Sequence, residues 1–300
     1  MDAWREQNVP SAAPDFLAIG HVTRDAHEDG SFSLGGTVSF ASLTAARLGA
    51  SAAIVTRADA QLAAQLPQLL PGIALAVQTS AETTTFDNRY HEGFRTQYLL
   101  ARADSLQADD VPSAWRDAPI LLLAPLAQEL DPAMLAPFPR RPGALIAATP
   151  QGWLRRWDAD GRVWLTPWTA AEQVLPALDA LILSHDDLLP FANGSRADAD
   201  AILARWSQHV PLLVATDGRH GATLFQRGLP ARFPAYAARE IDPTGAGDVF
   251  AAAFLVHLSR HADPPAAVAF ANAVASLSIE HAGITGIPTL EQAQERQARR

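Results

Sequence analysis

A chain of 300 residues with 48% hydrophobic side chains is long enough to bury one large or two modest cores, and too apolar for bulk disorder. Its formal net charge of −9 excludes a general nucleic-acid binder, and the lack of Cys excludes disulfides, thiol nucleophiles and Cys-ligated metals. All 23 residues counted as Lys or Arg are Arg, which excludes P-loop, protein-kinase and Schiff-base chemistry, each of which needs a Lys.

Taken in chain order, Met1 to Asp15 is polar and lacks the apolar run of a signal peptide, and no later run is long enough to span a bilayer. The expectation is a soluble cytoplasmic protein with no membrane partner. Phe16 to Gly20 is a short apolar run ending in Gly, which predicts a buried strand. Asp25 then falls just past a strand end, where open α/β sheets place ligands; it reads equally as a solvated loop acid. Ser31 to Leu34 alternates like a small strand. Gly35 and Gly36 precede Thr37 to Leu48, whose apolar residues repeat at helical spacing up to Gly49. A Gly pair at a helix entrance allows close backbone approach to a ligand, or is a plain turn. Ala52 to Thr56 is the next strand.

Thr83 to Tyr90 and Phe94 to Leu100 read as a β-hairpin around a Gly-containing turn, polar for a core element. It could be a flap with Arg89 or Arg95 facing a ligand, or an exposed edge. Ile120 to Leu123 and Ala144 to Ala148 are continuous apolar strands of a sheet covered on both faces. Trp153, Trp157, Trp164 and Trp168, with Arg155 and Arg156 among them, are read as packing under a long loop rather than as a stacking surface.

Leu181 to Leu183 is a strand ending in Ser184-His185-Asp186-Asp187. The two acids could hold a hydrated Mg²⁺ or simply cap the next helix. Pro211 to Thr216 is a strand, and the turn through Gly218 to Gly221 either cradles phosphates or closes a hairpin. Asp242 to Asp248, sequence DPTGAGD, then opens the apolar helix Val249 to Leu255. Two glycines at a helix start leave backbone N–H groups uncovered at the positive end of the helix dipole, a site for phosphate. Asp248 is out of place there unless it takes a proton from a hydroxyl attacking that phosphate; the plain alternative is a Gly turn capped by an acid. Pro265 to Ile279 is a second apolar helix and carries Asn272. G-x-S-x-G, H-E-x-x-H and a complete G-x-G-x-x-G are absent.

From Phe16 to Leu290 these parts, in this order, resemble the ribokinase/PfkB carbohydrate kinases. DPTGAGDVF is similar to that family's C-terminal signature, the Gly35–Gly36 entrance to its N-terminal motif, and Thr216 to Gly221 to its nucleotide turn. The resemblance implies an α/β ribokinase-like sandwich: one domain over 1–300, a mainly parallel central sheet flanked by helices, and a small β lid of about 29–36 and 83–100. It implies that Asp248 is the general base and that the amides of Gly245, Ala246, Gly247 and Asp248 form an anion hole. Asp25, Gly35, Gly36, Phe40 and Arg89 would lie at the acceptor, and Ser184, Thr216, Gly218, Gly221, Thr244 and Asn272 along ATP. Mg²⁺ would sit near Asp187 through water, with a monovalent cation as a further ligand and a monomer or lid-mediated homodimer as the assembly.

The chain departs from the family pattern at Phe40, where many members have Asn, and at Ser184 to Asp187, where many have Asn-x-x-Glu. The run Gly35 to Phe40 looks more like the inositol-kinase-like branch. The implied function is phosphorylation of a hydroxyl of a small sugar or polyol. A kinase for a nucleoside or vitamin-like heterocycle, and a non-catalytic binding protein of the same fold, are its alternatives.

Overall fold

The computed structural model describes residues 12–91 and 94–299. Most of the polar N-terminal segment and the Glu92–Gly93 turn therefore lie outside the described residues.

The chain opens with β1 (Phe16–Ile19), buried along its whole length. Gly20 to Val22 alone separate it from β2 (Thr23–Ala26), which pairs antiparallel with β3 (Phe32–Gly35). Asp25 thus lies on a strand, not in the loop expected from the sequence. Helix α1 (Thr37–Arg47) follows, and Gly49, at φ 82°, ends it. The amides of Gly49 and Ala50 bond back to the carbonyls of Ala46 and Ala45, a Schellman stop that needs the left-handed residue. Next come β4 (Ala52–Ala58), α2 (Ala60–Leu69) and β5 (Ala74–Thr79); the last two lie in a stretch the sequence reading left unassigned.

The expected hairpin forms as β6 (Thr85–His91) and β7 (Phe94–Ala101). After it come the buried strands β8 (Ile120–Leu123) and β9 (Leu145–Ala148), and the small pair β10 (Arg155–Trp157) and β11 (Val163–Leu165). The short α3 (Ala171–Val174) leads to β12 (Ala180–Ser184), then α4 (Arg196–Trp206). Strands β13 (Leu212–Thr216), β14 (Ala222–Gln226) and β15 (Leu229–Phe233) run antiparallel in succession. Helices α5 (Ala246–His261), α6 (Pro264–Ser278) and α7 (Leu290–Ala298) complete the chain.

Nine strands form one sheet in the order β15-β14-β13-β12-β9-β8-β1-β4-β5, parallel from β13 through β5. Strand alternation divides the core between its two faces. Phe16 and Ala18 join α1, α5 and α6 on one side, and Leu17 and Ile19 join α3 and α4 on the other. Phe254 of α5 has no exposed surface, and truncating such a ring to Ala costs about 3–5 kcal/mol. Trp153 and Trp168 pack as expected, stacked at 4.9 Å between centroids with Trp168 edge-on to Trp206; Trp164 instead is exposed beneath the Arg162 guanidinium and donates to Asp158.

Strands β3-β2-β6-β7 make a second, smaller sheet. It hangs from the C-terminal end of β1 and is tied to the main body by polar bonds. Arg24 of β2 grips both carboxylate oxygens of Asp59, which also caps α2. Buried His21 accepts from Thr84 at Nδ1 (2.7 Å) and donates from Nε2 to the carbonyl of Asp104 (3.0 Å). The carbonyl can only accept, so Nε2 carries the proton, and burial lowers the imidazole pKa and keeps the ring neutral.

Candidate active site

The site is built on the start of α5. Gly245 takes φ 75°, a left-handed conformation costly for any side chain, and serves as N-cap with no side-chain capping bond. The Ala246 N–H turns to Pro243 O at 3.1 Å. That leaves the amides of Gly247 and Asp248 as the uncapped helix-start donors of the expected anion hole. A β-carbon at Gly247 would meet nothing within 4 Å, so this backbone is open to the space in front of it.

That space is a cleft of about 890 Å³ between the smaller sheet and the C-terminal edge of the large one. Asp248 lies at its floor, the third residue of α5, and accepts a hydrogen bond from Thr37 at the start of α1. Burial pushes its carboxyl up to about 6, against the pull of Thr37 and the nearby Arg155 guanidinium; Asp187 adds a smaller upward push. A carboxylate tuned near neutrality beside uncapped amides suits a base acting next to a phosphate.

The cleft gathers most of the residues expected from the sequence. Asp25, Gly36 and Phe40 line the side where the acceptor is expected. Gly36 is the N-cap of α1, at φ 94°, and a β-carbon there would lie 2.5 Å from His21 O. Gly35 stands behind the lining, where a β-carbon would press on Asp25 and Thr23, each at 2.6 Å. Thr244, Gly245, Ala246 and Gly247 line the centre, and Ser184, Asp187 and Thr216 the far side. Ser184 and Asp187 also form the helix cap given as the alternative: Ser184 Oγ accepts from the Asp186 amide and Asp187 from the Ser184 amide, both at 3.2 Å.

Besides Gly35, four expected residues do not line the cleft. Arg89 is exposed on the outer face of β6, bonded to Asp87 at 2.7 Å and lying over the Tyr98 ring. Gly218 and Gly221 lie beyond the lining; Gly221 is required by a close approach to Phe233 O, only 2.0 Å from where a β-carbon would be. The Asn272 amide donates to Phe233 O and Pro234 O.

Sequence reasoning missed several cleft residues. Asn88 lines the cleft because it alternates with Arg89, and Gln97 lies opposite it on β7. Arg155, read as packing, is buried yet lines the cleft, donates to Leu126 O and lies over Phe86. Asp242, inside the signature but given no role, accepts from the Thr244 and Gly283 amides, each at 2.9 Å, and so ties the anion turn to the loop before α7. Those bonds outweigh burial and hold its carboxyl below the usual range. No group of three or more His, Cys, Asp or Glu placed to hold a metal occurs among the described residues, and no described helix is long and apolar enough to cross a membrane.

Residues 159–290 match the family model described as pfkB family carbohydrate kinase. The chain is 30% identical over 165 residues to "Probable fructokinase-5" of Arabidopsis thaliana, 51% of this chain and 51% of that protein. The chain thus spans about half the length of such curated relatives. A pyrophosphate-dependent kinase in the ribokinase family, solved with a pyrophosphate analog and myo-inositol, superposes with a TM-score of 0.77 at 22% identity, covering 94% of this chain and 99% of that one. Arabidopsis thaliana ribokinase, solved with ribose and ATP, superposes with a TM-score of 0.72 at 20% identity, covering 95% and 99%. The fold is the ribokinase fold, and residues 159–290 carry the pfkB family match.

Proposed function

We propose, for a chain with this fold and a pfkB carbohydrate kinase match in its C-terminal half, that it transfers the terminal phosphoryl group of ATP to a hydroxyl of a small neutral sugar or polyol. The observation that carries this is Asp248: a carboxyl raised to about 6, held by Thr37, on the helix turn whose amides are uncapped. As the acceptor oxygen forms its bond to phosphorus, its proton passes to the Asp248 carboxylate. The bond to the bridging oxygen breaks, and its electron pair leaves with ADP. The Gly247 and Asp248 amides stabilise the charge on the transferring group, worth about 10²–10³ in rate per donor. Arg155, buried in the same cleft, adds the positive charge that a Lys supplies in other kinases.

Mg²⁺ suits this donor set, since it binds through one or two carboxylates plus waters and phosphate oxygens, and Asp187 is the carboxylate on the donor side of the cleft. Bound there, it would neutralise donor charge. Each Asp242 oxygen accepts one backbone amide, from Thr244 and from Gly283, and no step here depends on a monovalent cation.

One observation favours a second donor, inorganic pyrophosphate. The cleft lining reaches Thr216 but not Gly218, Gly221 or Asn272, the residues expected along a nucleotide, and a pyrophosphate-dependent kinase shares the fold. Product formation from a panel of sugars, inositols and nucleosides, with ATP and with pyrophosphate as donors, tests both. Turnover with one acceptor supports the kinase and identifies its donor. No turnover with any pair rejects it.

A further inference from the structure

Glu129 has no exposed surface and does not line the cleft, yet its carboxylate gathers three backbone amides. Oε1 accepts from His21 at 3.1 Å and Leu126 at 2.9 Å; Oε2 accepts from Leu126 at 2.9 Å and Ala127 at 2.7 Å. Hydrogen bonds to a carboxylate are strong, and a buried amide left without its acceptor is costly. Glu129 therefore pins two segments at once: the link after β1 from which the smaller sheet hangs, and the loop after β8. Arg102 reinforces the loop by donating to Ala127 O at 2.7 Å and Gln128 O at 3.0 Å. The other charged group acting on neutral His21 at this junction is Arg57.

The same loop seats Arg155, the guanidinium that lines the cleft. Arg155 Nη1 donates to Leu126 O at 3.3 Å, and Gln128 Nε2 donates to Arg155 O at 2.6 Å. Just upstream of Arg155, the Gly152 N–H donates to Pro125 O at 2.7 Å, and a β-carbon on Gly152 would stand 2.4 Å from Leu126 N. The segment carrying Arg155 thus rests backbone against backbone on the loop that Glu129 organises. Gln128 takes φ 56°, a left-handed conformation that persists in a side-chain residue where its surroundings fix it. In the cleft, the Arg155 charge acts on Asp248 together with Thr37, and Asp187 opposes them.

We propose that Glu129 is a positioning residue: by holding the Leu126 and Ala127 amides it fixes the loop that keeps the Arg155 guanidinium in the cleft near Asp248. Its consequence for phosphoryl transfer rests on the kinase reading, while the positioning itself is separable from it. A displacement of about 1 Å at a charged group in such a site is enough to cost about 10² in rate.

The test compares wild type with Glu129→Gln, Arg155→Met and the double variant. Gln keeps the shape but turns an NH₂ towards amides that need an acceptor. Glu129→Gln should lower kcat roughly 10–10²-fold with acceptor KM within about threefold of wild type. In the Arg155→Met background the further loss should be under about threefold, because the group being positioned is gone. Wild-type kcat in Glu129→Gln, or the same fold loss with and without Arg155, overturns the proposal; a role confined to stability gives that second result. If Glu129→Gln does not fold, Gln128→Asn decides in its place, since Asn tolerates the left-handed φ but is too short to reach Arg155 O. Lowered kcat at an unchanged melting temperature then upholds the proposal, and wild-type kcat overturns it. If wild type transfers no phosphoryl group, the kinase reading fails and thermal melts at pH 7.5 decide this one separately. With Arg155 displaced, the Asp248 carboxylate is less supported, so Asp248→Asn should raise the melting temperature of Glu129→Gln by about 2 °C or more beyond its effect in wild type. That excess should vanish once Arg155→Met is added. Equal stabilisation in wild type and Glu129→Gln rejects the positioning role.

Discussion

The ring of Phe40 lies directly against the backbone of Gly245: a β-carbon on Gly245 would stand 2.3 Å from Phe40 Cδ1. Helix α1 thus supports the glycine turn at the start of α5 from beneath, with Phe40 only 4% exposed and filling the place that a side chain would need. The resemblance puts Phe40 at the acceptor, in the place where many family members have Asn. In the structure Phe40 packs beneath the Gly245 turn and also lines the cleft, and no Trp is among the cleft-lining residues.

Gly245→Ala should therefore damage both fold and function. The left-handed φ of 75° costs about 1–2 kcal/mol with a β-carbon, and the clash displaces Phe40 or the turn. A lower melting temperature and a loss of about 10² or more in kcat are expected, read by thermal melts and steady-state kinetics.

Gly247→Ala should separate the two. It lies inside α5 with nothing within 4 Å of the new methyl, so the fold gains up to about 0.5–1 kcal/mol of helix propensity. The methyl projects where donor phosphate would sit. An equal or higher melting temperature with at least tenfold weaker donor KM or kcat is expected; unchanged kinetics would show that phosphate does not approach this turn.

Asp248 sets the pH dependence. A base must be ionised, so kcat/KM should fall about tenfold per unit as pH drops below about 6. The same shift bears on stability with opposite sign. The folded pKa is above the usual 3.8, so ionisation destabilises the fold; that cost is absent below about 4 and complete above about 6. Asp248→Asn should raise the melting temperature at pH 7.5, by up to about 2–3 kcal/mol of stability, with little gain at pH 4.

Asp59 behaves conversely. Burial raises its carboxyl, but Arg24, Thr83 and the Leu62 amide outweigh that and bring it to about 2. Its contribution is present above about 4 and lost as pH falls towards 2. Asp59→Ala removes the cap of α2 and the tie to β2, and should cost about 2–3 kcal/mol in denaturant unfolding at pH 7.

The central strands and the α5 start were legible because each has a local cause: an unbroken apolar run, or a Gly turn before an Ala-rich helix. Asp25 was misplaced into a loop because β2 is short, polar and paired only through tertiary contact with β3 and β6. Arg89 stands out in the sequence because a charge is the louder signal, while register decides that its neighbour Asn88 faces inward. Arg155 hid among tryptophans, since nothing local shows that β10 turns it into the cleft rather than the core. The Asp242 tie joins residues far apart in the chain and has no sequence signature.

The most direct measurement is acceptor-dependent phosphoryl transfer by wild type and Asp248→Asn, at pH 7.5, with the best donor and acceptor from the panel. A loss of about 10²–10⁴ in kcat, with acceptor binding retained, is the result expected of a general base on an anion turn. A variant within a few-fold of wild type would contradict that role and leave Asp248 as a helix-capping acid.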